Sequence, residues 1–179
     1  MGSKLAWLRV AGVPGADADW STSDGRYWVH RLPDGMHTAH RQSFSAACIG
    51  THRTLAAAQA RCDLDAQFPG LFARIDAAMA RRGARFVLPN ERARGLACDV
   101  LVAAMSIGLP EPLVEPIGSS VVGGLGLIWD PAGDQLEIEC RNRGKLAVLI
   151  DMEENPTADE AGIQFAVAMI KDALEQMAY

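Results

Sequence analysis

Apolar and polar positions change period several times along this chain, and each change marks an element. Near the end, Ile163, Val167, Ile170, Leu174 and Met177 recur at intervals of four, three, four and three residues. That spacing lays one apolar stripe on a helix, and Thr157-Ala158-Asp159-Glu160 reads as the capping box that opens it. Leu96, Val100, Ala104 and Ile107 keep the same rhythm. Pro89 and Asn90 stand before that second helix, and Gly108 and Pro110 stop it. A third helical stretch, 55–67, follows Thr54, a residue suited to N-capping. Pro69 and Gly70 interrupt it, and Phe72, Ile75 and Met79 carry on at helical spacing until Gly83.

Elsewhere the period is two. In 135–140, Leu136, Ile138 and Cys140 alternate with Gln135, Glu137 and Glu139. One packed face and one wet face are the mark of an antiparallel strand. Residues 121–129 and 145–150 flank it as further strands, separated by turns at Asp130-Pro131-Ala132-Gly133 and Arg141-Asn142-Arg143-Gly144. The first half holds strand candidates at 5–10, 26–31, 36–42 and 45–50. Leu32-Pro33-Asp34-Gly35 forms the turn of a hairpin. The stretches 11–25, rich in Gly, Pro, Asp and Ser, and 109–118, with three prolines, read as connections.

These elements predict an α+β protein in two parts. Residues 1–83 give a small antiparallel sheet plus helix. Residues 84–179 give an α-β-β-β-α unit whose helices pack on one face of a three-stranded meander. The two halves share no visible repeat.

At 179 residues, 49% hydrophobic and 22% charged, the chain has a globular composition and enough apolar material for a core without metals or disulfides. No apolar run reaches the ~18 residues of a membrane span, and the first residues lack the apolar segment of a signal peptide. A cytoplasmic protein without a membrane partner is the expectation. Its cysteines, Cys48, Cys62, Cys98 and Cys140, form no C-x-x-C pair, which fits reduced thiols. Net charge is −5. Residues 1–83 hold ten Lys/Arg against seven Asp/Glu, and 84–179 hold seven against fifteen. Asp151, Glu153, Glu154, Asp159 and Glu160 place five acids in ten residues. With Glu137 and Glu139 on one strand face, they are candidate contacts for a basic partner.

All four histidines fall between His30 and His52. His37, His40, Cys48 and His52 are residue types that Zn²⁺ takes. Residues three apart on a strand face opposite sides, however, so His37 and His40 diverge unless a bulge intervenes. The same ribbon carries Arg26, Arg31, Arg41 and Arg53 with Trp28, Tyr27 and Phe44, the makings of a nucleic-acid surface in which rings stack on bases; the acidic total works against phosphate affinity. Residues 118–126 are glycine-rich, but a strand rather than a helix follows, so close packing is favoured over a phosphate loop. There is no G-x-S-x-G, H-E-x-x-H or Walker-type lysine, so no catalytic set and no cofactor are expected.

Gly25-Arg26-Tyr27-Trp28-Val29 with 54–63 resembles short, uncharacterised phage and prophage proteins that carry a small sheet and then a helix of the form T-L-x-x-A-x-x-x-x-D. Gly108-Leu109-Pro110-Glu111-Pro112, the glycine-rich 123–129 and Leu136-Glu137-Ile138-Glu139 are similar to bacterial proteins of unknown function with a helix, a G-x-P-x-P link and an L-E-I-E strand. The resemblance implies a mobile-element setting and stoichiometric action on a host protein, as an anti-defence inhibitor such as an anti-CRISPR or an antitoxin-like neutraliser. The expected partner has a basic nucleic-acid-binding groove. The other readings are a nucleic-acid-binding accessory protein using the arginine ribbon, and a zinc-dependent enzyme or module on the His cluster. The 163–177 stripe is also a candidate seat for a homodimer.

Overall fold

The computed structural model describes residues 5–10, 18–41, 48–81, 87–117, 121–129, 135–151 and 168. The fold is α+β, with a five-stranded and a four-stranded antiparallel sheet. The chain divides into two compact units, Met1–Pro69 and Gly70–Tyr179. Gly70 takes a left-handed φ of 84°, open to glycine at little cost, and the chain turns there. The Phe72 helix thus falls in the second unit, which a boundary at 83/84 would leave in the first.

In the first unit, β1 (Trp7–Val10), β2 (Ala18–Thr22), β3 (Tyr27–Arg31), β4 (His37–Arg41) and β5 (Cys48–His52) lie in sequence order. Helix α1 (Leu55–Gln67) packs on β3, β4 and β5. Strand β2 occupies part of the stretch expected to be a loop. Its Asp19 and Ser21 are polar residues that read as loop-formers, yet both are buried. They are tolerated there because each is hydrogen-bonded: Asp19 Oδ1 lies 2.7 Å from His30 Nδ1, and Ser21 Oγ donates to the Thr22 carbonyl at 3.0 Å. The β3–β4 turn is as expected, with Gly35 at φ 82° donating to the Leu32 carbonyl. Thr54 Oγ1 accepts from Ala57 N at 3.1 Å and caps α1. Buried Asp65 on α1 accepts from the Tyr27 hydroxyl at 2.9 Å and from Arg41 through Nε at 2.8 Å and Nη2. One carboxylate therefore pins the helix to β3 and β4.

In the second unit, α2 (Leu71–Ala80) packs on β6 (Leu113–Pro116), and α3 (Glu91–Ser106) packs on β7 (Gly124–Trp129) and β8 (Gln135–Arg141). Strand β9 (Leu146–Asp151) completes the order β6-β7-β8-β9. The sheet thus has four strands where a three-stranded meander was expected. Proline content disguised β6, but Pro is tolerated on an edge strand, where its missing N–H interrupts no ladder. Leu125, Leu127, Trp129, Leu136, Ile138 and Cys140 are all buried, as the alternation in β8 predicts. Trp129 Nε1 donates to the Pro110 carbonyl at 2.9 Å. Asn90 caps α3 by accepting from Arg92 N and Ala93 N. The buried positions of α3 include Ala93, Ala97, Val100, Leu101 and Ala104, while Leu96 is only partly buried. Small residues on that face let the helix approach the sheet. The 163–177 stripe and its capping box lie outside the described residues.

The β8–β9 turn is locked to the start of α3. Asn142 Oδ1 accepts from Asn90 N at 2.9 Å, and Asn142 Nδ2 donates to the Leu88 carbonyl at 2.8 Å. The glycines at the start of β7 serve the close packing expected of them. A Cβ on Gly124 would collide with the Cys140 carbonyl, and one on Gly123 with the Asn142 amide and Val87.

Candidate functional site

Antiparallel register sets the face of the second sheet opposite α3. Leu113, Ile128, Glu137 and Leu149 form one row across the four strands, and Glu115, Gly126, Glu139 and Ala147 form the next. Directly opposed residues share a face, and the neighbouring register rows are those buried against the helix side. Three carboxylates from three different residues of β6 and β8 therefore surround the side-chain-free position at Gly126. A Cβ at Gly126 would stand only 2.6 Å from Glu137 Oε1, so the Glu137 carboxylate leans over the glycine.

The charges on this face are unevenly balanced. Arg141 holds Glu139 through Nε at 2.9 Å and Nη2 at 2.7 Å. The Glu139 side chain is only 13% exposed, so this strand face is less wet than its alternation implied. Glu115 and Glu137 have no cationic partner among the described residues. Partial burial, then Glu139 and then Glu115, push the Glu137 carboxyl above its ordinary pKa. A carboxylate held near like charge is one whose ionised form is under-compensated. Leu113 and Leu149, both exposed, flank the acids at the two sheet edges.

Among the acidic residues singled out from sequence, Glu137 and Glu139 are brought together here. Asp151 ends β9, in register with Gln135, and Glu153, Glu154, Asp159 and Glu160 lie outside the described residues. Glu115 was missed. Leu113-Val114-Glu115, two apolar residues and an acid between Pro112 and Pro116, shows no alternation that marks a strand.

The histidine ribbon separates into two groups. His37 and His52 are register partners on β4 and β5, and the Trp20 ring lies 5.8 Å from His37. His40 has Cys48 as its register partner, and its ring packs 5.3 Å from His30. The register shifts between Ala39 and His40, but the skipped residue is Ile49 on β5, so alternation along β4 still sends His37 and His40 to opposite faces and His37, His40, Cys48 and His52 do not converge. Among the described residues no three His, Cys, Asp or Glu side chains are placed to hold a metal ion. The ring of His52 lies over Gly50, where a Cβ would meet its Nε2 at 2.8 Å. Burial and then Arg61 lower the His52 pKa to about 4, and burial and then Arg31 lower that of His37. Both rings are neutral at physiological pH.

Two of the ribbon arginines are engaged. Arg26 pairs with Asp24, whose carboxyl is held at about 2 by hydrogen bonds from the Thr22 hydroxyl, the Arg26 amide and the Arg26 guanidinium. Arg41 is tied to Asp65. Trp28 donates to the Gly25 carbonyl and stacks on His30; Arg31 and Arg53 are exposed, and Phe44 lies outside the described residues.

Asp19–His30 has the geometry of a base held by an orienting carboxylate, but its side chains are 0% and 4% exposed, beyond the reach of a substrate. Burial pushes the thiols of Cys62 and Cys140 upward, which keeps them un-ionised and inert. No helix among the described residues is long and apolar enough to cross a membrane. No family model, curated protein or solved structure matches this chain.

Proposed function

We propose that the protein acts stoichiometrically, by presenting the acidic face of its second sheet to a basic surface on a host macromolecule. One observation carries the reading: Glu115, Glu137 and Glu139 crowd around Gly126 with Arg141 as their one cationic neighbour among the described residues. Like charges held together on a rigid sheet are poorly neutralised within the chain, and an arginine- or lysine-rich partner neutralises them on contact. Carboxylates so placed stand where phosphates would sit in a nucleic-acid-binding groove, and they speed encounter electrostatically. The sequence resemblance to phage and prophage proteins supports an inhibitor of host defence or an antitoxin-like neutraliser.

The test is affinity capture from the host with the full chain and with a Glu115→Gln/Glu137→Gln/Glu139→Gln variant of unchanged circular dichroism. A partner retained at low salt by the wild type and lost by the variant is the expected result. Equal retention by both removes the acidic face from the interface. Product accumulating in molar excess over the protein in a turnover assay overturns stoichiometric action.

A further inference from the structure

The two edges of the second sheet are built differently. Strand β6 has four residues, ends in Pro116 and follows Pro112; short length and proline are the usual guards of an edge. Strand β9 has six residues, Leu-Ala-Val-Leu-Ile-Asp, with no proline, glycine or charge before Asp151. Among the described residues it pairs with β8 alone. Leu146 and Val148, on the helix-covered side, are 39% and 43% exposed, and Leu149, on the other side, is 48% exposed. An apolar, proline-free strand edge with no further partner among the described residues is a template for another strand.

We propose that β9 is a dimerisation edge, on which two copies of this chain pair antiparallel about a two-fold axis at Val148. The sequence Lys145-Leu146-Ala147-Val148-Leu149-Ile150-Asp151 is complementary to its own reverse. In that register Val148 meets Val148, Leu146 stands opposite Ile150, and Ala147 stands opposite Leu149. Lys145 comes opposite Asp151 at both ends. Apolar residues face apolar ones across the axis, and opposite charges face each other at its ends, the cross-strand pairing that stabilises a ladder. A two-fold interface demands such self-complementarity, since every contact occurs twice. The pairing joins two four-stranded sheets into one and carries their acidic faces on the same side. It does not rest on the partner reading above: the edge pairs whether or not the acids bind anything.

Sedimentation equilibrium of the full 19.2 kDa chain should report a species of twice that mass. Lys145→Glu, and separately Asp151→Lys, set like charges opposite one another and should each weaken the dimer at least ~10-fold. The combined swap restores the opposite-charge pairs and should recover most of the affinity. Val148→Glu puts two carboxylates at the axis and should leave only monomer, with circular dichroism verifying the fold. In a Cys48→Ser background, Val148→Cys should cross-link under mild oxidation into a covalent dimer. A chain that stays monomeric at every concentration overturns the proposal. A dimer indifferent to Val148→Glu, or a charge swap without rescue, overturns it equally.

Discussion

The two units bury different chemistry. In the first, Asp19, Ser21, Thr22, His30, Arg61 and Asp65 are all buried; in the second, no polar or charged side chain is buried among the described residues. The first sheet is held to its helix by a carboxylate that satisfies a phenol and a guanidinium at once. The second is held by Leu125, Leu127, Ile138, Val100 and Leu101. Apolar burial is non-directional and tolerant of small shifts, whereas a buried polar pair is worth having only in one geometry. The polar unit is therefore the one that a single substitution or a change of pH should disturb most.

The largest effect is expected at Asp65. Asp65→Ala leaves the buried Tyr27 hydroxyl and the half-exposed Arg41 without their shared partner and should cost about 3–4 kcal/mol, most of it at the phenol. Hydrogen exchange should locate the loss in α1, β3 and β4. Leu127→Ala, in the apolar unit, opens a cavity and should cost about 3 kcal/mol, with exchange rising in β7 and β8. Protection lost equally in both units by either change breaks the comparison.

Acid should separate the units next. His52 titrates near 4 in the fold and near 6.5 in the unfolded chain. Between those values the unfolded state binds more protons, so stability falls as pH drops from 6.5 to about 4 and levels off below. His37 is shifted in the same direction. The ring of His52 is part-exposed and therefore screened, so the loss should be about 1–2 kcal/mol. Denaturant titrations followed by exchange at pH 7 and pH 4.5 measure it, and His52→Gln should flatten the dependence in the first unit.

The smallest effect has the opposite sign. The Glu137 carboxyl is raised by burial and its acidic neighbours, so its charged form disfavours the fold at neutral pH. Glu137→Gln should stabilise the second unit by a few tenths of a kcal/mol while weakening partner binding. A residue that gives up stability for binding is the pattern expected of a functional surface. A destabilised Glu137→Gln contradicts it.

The same contrast decides what the sequence could show. Apolar alternation made β8 legible, and Thr54, Asn90, Gly35 and Gly108 marked their helix ends and turn through chemistry local to each position. Strand β2 was hidden because its buried positions are the polar residues Asp19, Ser21 and Thr22, and Asp19 meets His30 through the β2–β3 pairing, which no local pattern encodes. Strand β6 was hidden behind Pro112 and Pro116, which edge placement makes harmless. The stripe of α3 is turned toward Ala93 and Ala97 because contact with the sheet selects small side chains over large ones. Of the candidate site, Glu137 and Glu139 could be placed on one face from their spacing. Glu115 joins them only through the β6–β7 register, which no periodicity within one strand encodes.

The most direct test of stoichiometric electrostatic docking is the association rate of the full chain with its captured host partner, followed across a series of salt concentrations. Fast association that slows steeply with salt for the wild type, and a slower rate on a nearly flat line for the Glu115→Gln/Glu137→Gln/Glu139→Gln variant, is the predicted result. Superimposable rates and slopes for the two proteins would contradict it.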